Sequence, residues 1–197
     1  MKKSLLFVVL LGAIAFTTHA QEFKKFKGGI GLGYASAFGD GASGGVLFYL
    51  EPAYRVSDQL AVGLRLESAL IVRGITNYNS STADLDISAI GSYTVNGQYY
   101  FSNNTFRPFA GLGFGLYSLA AISVEDAGNN GGTVEAIEAA SKFGFYPRVG
   151  FDAGHFTLQL EYNLIPKSTS TVNNVEIESQ NSYLAIKAGF FFGGGKK

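Results

Sequence analysis

The sequence has 197 residues, of which only 15% are charged, and it contains no cysteine. A water-soluble domain usually carries about 25% charged residues, so this chain has either a large buried core or a surface that does not face water. The lack of cysteine excludes disulfides, a thiolate metal site and a lipid-modified N-terminal cysteine, and the formal net charge of zero gives no electrostatic support for a nucleic-acid partner.

The N-terminus has the composition of a secretory signal peptide. A short basic region precedes an apolar run over residues 5–16, and residues 18–20 place small side chains at the cleavage position. The apolar run is too short to cross a bilayer as a helix, which needs about 20 residues. We therefore predict that residues 1–20 are a signal peptide cleaved after Ala20, and that residues 21–197 form one domain.

Beyond the signal peptide, apolar and polar side chains alternate with a period of two, which is typical of strands with two different faces. Within residues 60–73, for example, Leu64 falls on one face and Arg65 falls on the other. Each run is close to the ~9–11 residues that a tilted transmembrane strand needs. The pattern predicts eight strands, which in chain order span residues 26–38, 46–56, 60–73, 87–101, 108–119, 142–152, 155–165 and 182–192.

The predicted connections alternate in length along the chain. The short ones are residues 57–59, 102–107 and 153–154, the long ones are 74–86, 120–141 and 166–181, and 39–45 is intermediate. Short periplasmic turns and longer extracellular loops are typical of outer-membrane barrels. We therefore predict an all-β fold, an eight-stranded antiparallel transmembrane β-barrel in the bacterial outer membrane, with both ends of the domain on the periplasmic side.

A soluble barrel of the lipocalin kind would also alternate, with its large apolar face turned inward. Few charged side chains are available here to cover a surface in water. The second face mixes glycine with isolated charges, as a narrow packed lumen requires. Aromatic residues also lie at strand ends, where a membrane-interface girdle belongs; they are Phe26, Tyr54, Tyr99, Phe101, Phe151, Phe156 and Phe192. These features favour the membrane barrel.

The inward face carries charged residues that must pair, since an isolated buried charge is costly. The tight turn at residues 57–59 places Glu51 across from Arg65. An eight-stranded barrel is just wide enough to be filled by side chains, so we favour a packed ion-pair plug over a polar path for ions or small solutes. The predicted lumen network comprises Glu51, Arg55, Arg65, Glu67, Arg148, Asp152, Glu161 and Lys187.

His155 is the one histidine that remains after cleavage, and it invites a catalytic interpretation. A turn at residues 153–154 places Asp152 opposite His155, and Arg148 diagonal to Glu161. Lipid A deacylases and palmitoyl transferases need a nucleophile or base near a histidine, placed toward the outer leaflet. Because His155 falls beside a short periplasmic turn instead, we predict no catalytic residue, no cofactor and no metal.

The predicted outer loops are acidic. They contain Asp40, Asp84, Asp86, Glu125, Asp126, Glu135, Glu138, Glu176 and Glu178, against Lys167 alone. Glu125, Asp126, Glu135 and Glu138 form a candidate loop acidic cluster for a basic partner or divalent cations, although no spacing matches a calcium loop and simple solvation of the loops is the alternative.

Two of these loops have the sequence of hairpins. Residues 122–125 face 133–137, and residues 169–172 face 175–178 across Asn-rich tips that tolerate positive φ. We expect both hairpins to project beyond the membrane, where an exposed edge can add a partner's strand. The alternative is that they only stiffen the loops.

Three strands carry a resemblance to a known family: FRPFAGLGFGLY at residues 106–117, FGFYPRVGFDAG at 143–154 and LQLEYNLIP at 158–166. The pattern resembles the outer-membrane β-barrel family common in Bacteroidota, related in architecture to OmpX- and OmpW-like small barrels. The resemblance implies the fold and the location over the whole mature chain, but these barrels serve varied roles. One departure is the tail at residues 193–197, since such barrels usually end on an aromatic residue.

Three functions are compatible with these features. The leading hypothesis is a non-enzymatic barrel in contact with outer-membrane lipid, whose loops bind a partner protein, a surface ligand or the lipopolysaccharide layer, or which is an accessory subunit of an outer-membrane complex. The second is a narrow channel or an OmpW-like transporter for small hydrophobic solutes. A lipid A-modifying enzyme is the third.

Overall fold

The computed structural model describes residues 22–38, 42–75, 84–124, 134–172 and 175–196. The predicted signal peptide lies outside these residues. Within them the chain forms ten β-strands, and no helix is long and apolar enough to cross a membrane. The strands are β1 Phe26–Ala37, β2 Ala42–Arg55, β3 Leu60–Ile75, β4 Asp84–Tyr100, β5 Phe106–Val124, β6 Val134–Ala153, β7 Phe156–Asn163, β8 Ser168–Val172, β9 Val175–Ser179 and β10 Tyr183–Gly193.

Eight of these strands close into the predicted antiparallel barrel. The order around it is β1-β10-β7-β6-β5-β4-β3-β2, so each strand pairs with its neighbour in the barrel sequence and β1 meets β10 at the seam. Closure gives every barrel strand a hydrogen-bonded neighbour on both sides, and paired backbone groups are the condition for a sheet to lie in lipid. The fold predicted from the alternating pattern is confirmed.

The outward face of the barrel is apolar. Leu32, Leu112 and Phe192 are 66%, 64% and 70% exposed, and the other large exposed apolar side chains also lie at outward positions. A contiguous apolar surface of this extent is unfavourable in water, whereas it matches the lipid-facing band of an outer-membrane barrel. Aromatic residues at the strand ends, such as Phe26 and Phe101, are among the most exposed, as an interfacial girdle requires.

One side of the barrel is taller than the sequence pattern predicts. Residues 74–86 and 120–141 were expected to be loops, but β3 and β4 pair as far as Ile75–Asp84, and β5 and β6 pair as far as Val124–Val134. The expected pairing is thereby confirmed for residues 122–124 with 134–136, as part of the barrel wall, while residues 125 and 133 lie outside the described residues. These strands are longer than expected because β-branched and apolar residues continue along both segments. The backbone ladder therefore extends beyond the part of each strand that crosses the bilayer.

The second predicted hairpin forms a separate two-stranded sheet. In it β8 pairs with β9, with Val172 opposite Val175. Residues 173–174, the predicted tip, lie outside the described residues. This pairing is confirmed, and the hairpin lies on the connection between β7 and β10.

The C-terminal tail closes the end of the barrel where the turns are short. Gly193 and Gly194 adopt φ values of +71° and +61°, which only glycine takes readily, and they turn the chain back over the opening. The backbone N–H of Lys24 then donates to the Gly195 carbonyl at 2.8 Å, and Phe23 bridges Lys196. The residues beyond the last aromatic are therefore a structural cap.

Candidate functional site

Six charged side chains from five strands form a continuous chain of ion pairs across the lumen. Each is no more than 9% exposed. Acids and bases alternate along the chain, so the buried network is neutral and each charge has an opposite neighbour. In order of contact the residues are Glu67, Lys187, Glu161, Arg65, Glu51 and Arg148.

Arg65 lies at the centre of this network. Its guanidinium donates to the carboxylates of Glu51 on β2 and Glu161 on β7, and its Nη2 also donates to Gln159 at 3.1 Å. Arg65 on β3 therefore links two other strands across the barrel interior. The planar guanidinium suits this role because its five donors form a rigid fork.

The two ends of the network are held by polar neighbours. Arg148 donates to Glu51 at 2.9 Å and to the amide oxygens of Asn96 at 2.7 Å and Gln98 at 2.6 Å. At the other end, the hydroxyl of Tyr183 donates to Glu67 at 2.8 Å. Buried charges are tolerated when their remaining donors and acceptors are used in this way, although Arg148 Nε is buried without a hydrogen-bond partner.

A second, smaller group lies closer to the short turns. Lys27 Nζ contacts Asp152 at 2.6 Å, and the hydroxyl of Tyr100 donates to the same carboxylate oxygen at 2.8 Å. Arg55 belongs to neither group: its guanidinium carbon lies 4.9 Å from the centroid of the Tyr100 ring. The predicted network is thus divided, with six residues in the chain of ion pairs, Asp152 in the second group and Arg55 apart.

Lys27 and Tyr100, which form the second group with Asp152, were not among the lumen residues predicted from the sequence. Both have the lumen-facing parity of their strands, as Gly29 does in β1 and Gln98 in β4. The alternation of inward and outward positions that located the other lumen residues would also have located these two.

The register of the β6–β7 turn differs from the prediction. Gly154 takes φ +61° and forms the turn together with His155, so Ala153 pairs with Phe156 and Asp152 lies opposite Thr157. The turn therefore lies one residue later than predicted, and the partner of Asp152 is two residues beyond the predicted His155.

The same shift changes two other positions. Arg148 pairs directly with Glu161 in the ladder and is not diagonal to it. His155 is exposed on the turn, where its ring stacks on Phe191 at 5.5 Å.

The loop acidic cluster is only partly within the described chain. Glu125 and Asp126 lie outside the described residues. Glu135 and Glu138 belong to β6, and their side chains are also outside what the structure describes. Among the described residues, no group of three or more His, Asp or Glu side chains is arranged to hold a metal ion.

The space left beside the lumen network is small. A cavity lined by Lys27, Tyr49, Glu51 and Gln159 has a volume of about 20 Å³. One buried water needs roughly 10–15 Å³ measured in this way, so this cavity holds about one water. Beside these four residues the lumen therefore has room for little more than that water.

Comparison with known proteins agrees with this architecture. The sequence model of a family described as "Outer membrane protein beta-barrel domain" matches residues 5–190. Neisserial surface protein A is 14% identical, with a TM-score of 0.51 over 85% of this chain and 96% of that chain. OprG from Pseudomonas aeruginosa is 13% identical, with a TM-score of 0.50 over 89% and 100% of the two chains.

Ail, the attachment invasion locus protein of Yersinia pestis, is 18% identical, with a TM-score of 0.43 over 85% and 99% of the two chains. At such identities the structural likeness to Neisserial surface protein A and OprG shows a shared fold alone. No curated protein sequence matches the chain.

Proposed function

The chain belongs to the outer membrane protein β-barrel domain family and lies in the bacterial outer membrane, and from that premise we propose that it is a non-enzymatic barrel that binds a partner at the cell surface. The proposed binding element is the tall wall of strands β3–β6. The narrower assignment to the Bacteroidota branch of the family stays a prediction.

The observation that carries this proposal is an unpaired strand edge on the tall wall. In the part of the chain that the structure describes, β6 pairs with β7 from Arg148 to Ala153 and through an isolated bridge between Phe145 and Leu164. Residues 134–144 of β6 pair with β5 alone. A free edge presents unpaired backbone groups, which is the usual site for adding a partner's strand.

The charge of the wall favours a basic partner. Asp84 and Asp86 lie on β4, and Glu135 and Glu138 lie on β6. These acidic residues lie at the end of the barrel opposite the short turns, which is the extracellular end in this class of protein. Complementary charge speeds the encounter with a partner and excludes acidic surfaces.

We expect removal of the projecting part of the wall to abolish assembly. Replacing residues 121–137 by a short turn keeps the pairing of Leu119 with Ala140, so the barrel remains while the projecting part of the free edge, residues 134–137, is lost. The native mass of the protein, extracted from outer membranes in mild detergent without heating, should fall to that of one barrel with its micelle. Replacing residues 168–179, the separate hairpin, is the matched control and should keep the larger particle.

This experiment has clear contrary outcomes. A lone barrel already in the unaltered protein, or an unchanged large particle after removal of 121–137, would contradict binding through the wall. A large particle lost equally in both variants would assign binding to the loops in general.

The packed lumen supports a closed barrel, so the transport hypothesis is the weaker one. We expect flat current when the purified protein is inserted into a planar bilayer, because the ion pairs around Arg65 cross the lumen and the adjoining cavity holds about one water. Stable single-channel steps under the same conditions would favour a narrow channel and reject the plug. Lateral passage of hydrophobic solutes would show instead as an uptake defect on deletion of the gene.

A further inference from the structure

A cationic cleft lies at the periplasmic end of the barrel, opposite the end that carries the projecting wall of β3–β6. Its volume is about 250 Å³, and Arg55, Arg107 and Lys196 are among its lining residues, together with His155. No aspartate or glutamate is among the residues that line it. A volume of this size exceeds by about twentyfold what one water requires, so the cleft has room for a small charged ligand.

Two nitrogens of the Arg55 guanidinium are buried without a hydrogen-bond partner. Arg55 is 1% exposed, and its Nε and Nη1 make no hydrogen bond. The guanidinium carbon lies between two aromatic rings, 5.0 Å from the Phe23 centroid and 4.9 Å from the Tyr100 centroid. Leaving donors of a charged group unsatisfied is costly, so this arrangement needs a compensating group.

Arg107 lies against the same two rings. Its guanidinium carbon is 3.8 Å from the Phe23 centroid and 4.1 Å from the Tyr100 centroid. Nε donates to the carbonyl of Ser102 at 3.1 Å and Nη2 donates to the carbonyl of Asp58, but Nη1 is buried without a partner. Two guanidiniums therefore share one pair of rings, and their like charges repel.

Two acidic residues close to the cleft, Asp58 and Glu22, are already engaged, and Asp152 binds Lys27 and Tyr100 through Oδ2 while its Oδ1 is buried without a hydrogen-bond partner. The Asp58 carboxylate accepts the backbone N–H groups of Glu22 and Phe23 at 3.0 and 3.1 Å. Glu22 pairs with Lys196 at 3.5 Å, and both side chains are more than half exposed, so this ion pair contributes little. Within the described residues, neither Arg55 nor Arg107 makes an ion pair with a carboxylate.

We propose that this cleft is a binding site for a phosphate-class oxyanion, such as a phosphomonoester. Guanidinium groups match phosphate oxygens in geometry and bind them through charge-assisted hydrogen bonds. A dianion suits the site better than a single carboxylate because two arginines and Lys196 converge there. The rings of Phe23 and Phe191 give the rest of the ligand an apolar wall.

The phosphate can belong to a free metabolite or to a lipid headgroup, since the cleft opens at the periplasmic end where both are accessible. The mature protein, refolded into detergent micelles, is titrated with inorganic pyrophosphate by calorimetry to test the shared chemistry. The protein in nanodiscs of phosphatidylcholine with and without phosphatidic acid is then compared by the NMR signals of the arginine Nε–H groups. Saturable binding of pyrophosphate without a change of the arginine signals in phosphatidic acid would assign the site to a free phosphate. A shift of equal size with phosphatidic acid would assign the site to a lipid headgroup.

The matched variants have the same change of charge at the same end of the barrel. Arg55→Gln/Arg107→Gln should weaken pyrophosphate binding at least about tenfold, as expected for loss of charge-assisted hydrogen bonds. Lys24→Gln/Lys25→Gln removes two exposed lysines that do not line the cleft, and should change the affinity less than about twofold. Retention of the folded band on unheated gels shows that each variant keeps the barrel.

Three results would overturn the proposal. They are no heat of binding at millimolar pyrophosphate, equal weakening in both pairs of variants, and undiminished binding in Arg55→Gln/Arg107→Gln. If that double variant fails to fold, Arg107→Gln alone is used, and it should still weaken binding more than Lys24→Gln/Lys25→Gln does.

Discussion

Replacing Arg65 by methionine is expected to lower the free energy of unfolding by about 3–5 kcal/mol, the range for removing one partner of a buried ion pair. Arg65 is 1% exposed and contacts both Glu51 and Glu161. Its loss leaves the three acids of the network facing only Lys187 and Arg148. The uncompensated carboxylate then remains in the interior of a barrel that lies in lipid, where water cannot easily reach it.

Equilibrium unfolding by urea in lipid vesicles measures this change. The informative comparison is Arg65→Met/Glu161→Gln, which removes one base and one acid together. Lys187 then keeps Glu67 and Arg148 keeps Glu51, so two neutral pairs remain. The double variant should be more stable than Arg65→Met alone, and equal stability in the two would show that charge balance is not what holds the lumen together.

The fold was predictable because two independent patterns agree. Alternation identifies the barrel strands and the faces of residues such as Leu64 and Arg65, and the alternating loop lengths identify the end that carries the turns. The register was predictable only where a turn is unambiguous. Tyr49 lies opposite Glu67 as the turn at 57–59 requires, whereas a glycine beside His155 permits two registers, and the choice depends on which residue takes positive φ.

The contacts within the lumen and the height of the wall could not be predicted from the sequence, for two different physical reasons. Alternation gives the face of a residue but not the distance across the barrel, so it could not show that Lys27 meets Asp152 or that Arg55 stands apart. The height of the β3–β6 wall was missed because the expected strand length is the length that crosses the bilayer. It does not describe pairing beyond the bilayer. Backbone pairing outside the bilayer needs only compatible residues on both strands, and segments such as β5 at Ala120–Val124 supply them.

The cationic cleft was missed for a further reason. It combines a residue from the end of β2, Arg55, one from the start of β5, Arg107, and the C-terminal tail. The sequence shows these only as scattered basic residues near turns. Their convergence depends on closure of the barrel and on the return of the tail over its opening, neither of which a local pattern reports.

Adding a single methyl group at Gly31 is expected to destabilise the barrel by about 1–3 kcal/mol, the usual cost of overpacking. Gly31 pairs with Tyr49 on β2 and with Gly189 on β10, so it lies at the seam where the first and last strands meet. A Cβ at this position would be 2.5 Å from the Ala188 carbonyl oxygen and 2.6 Å from Cε1 of Tyr49. The carbonyl cannot move without disturbing the β1–β10 ladder.

Gly29→Ala is the matched control, because Gly29 also lies on the lumen face of β1 and its Cβ would meet nothing closer than the Glu51 carbonyl oxygen at 3.5 Å. That is ordinary contact, and replacing glycine also reduces the conformational freedom of the unfolded chain by about 0.4–1 kcal/mol. The control should therefore be neutral or slightly more stable in urea while Gly31→Ala loses stability. Similar midpoints for the two variants would mean that the Tyr49 ring moves aside and that seam closure tolerates a side chain. A loss confined to Gly31→Ala would instead show that close approach of Tyr49 to the backbone is what closes the barrel at this level.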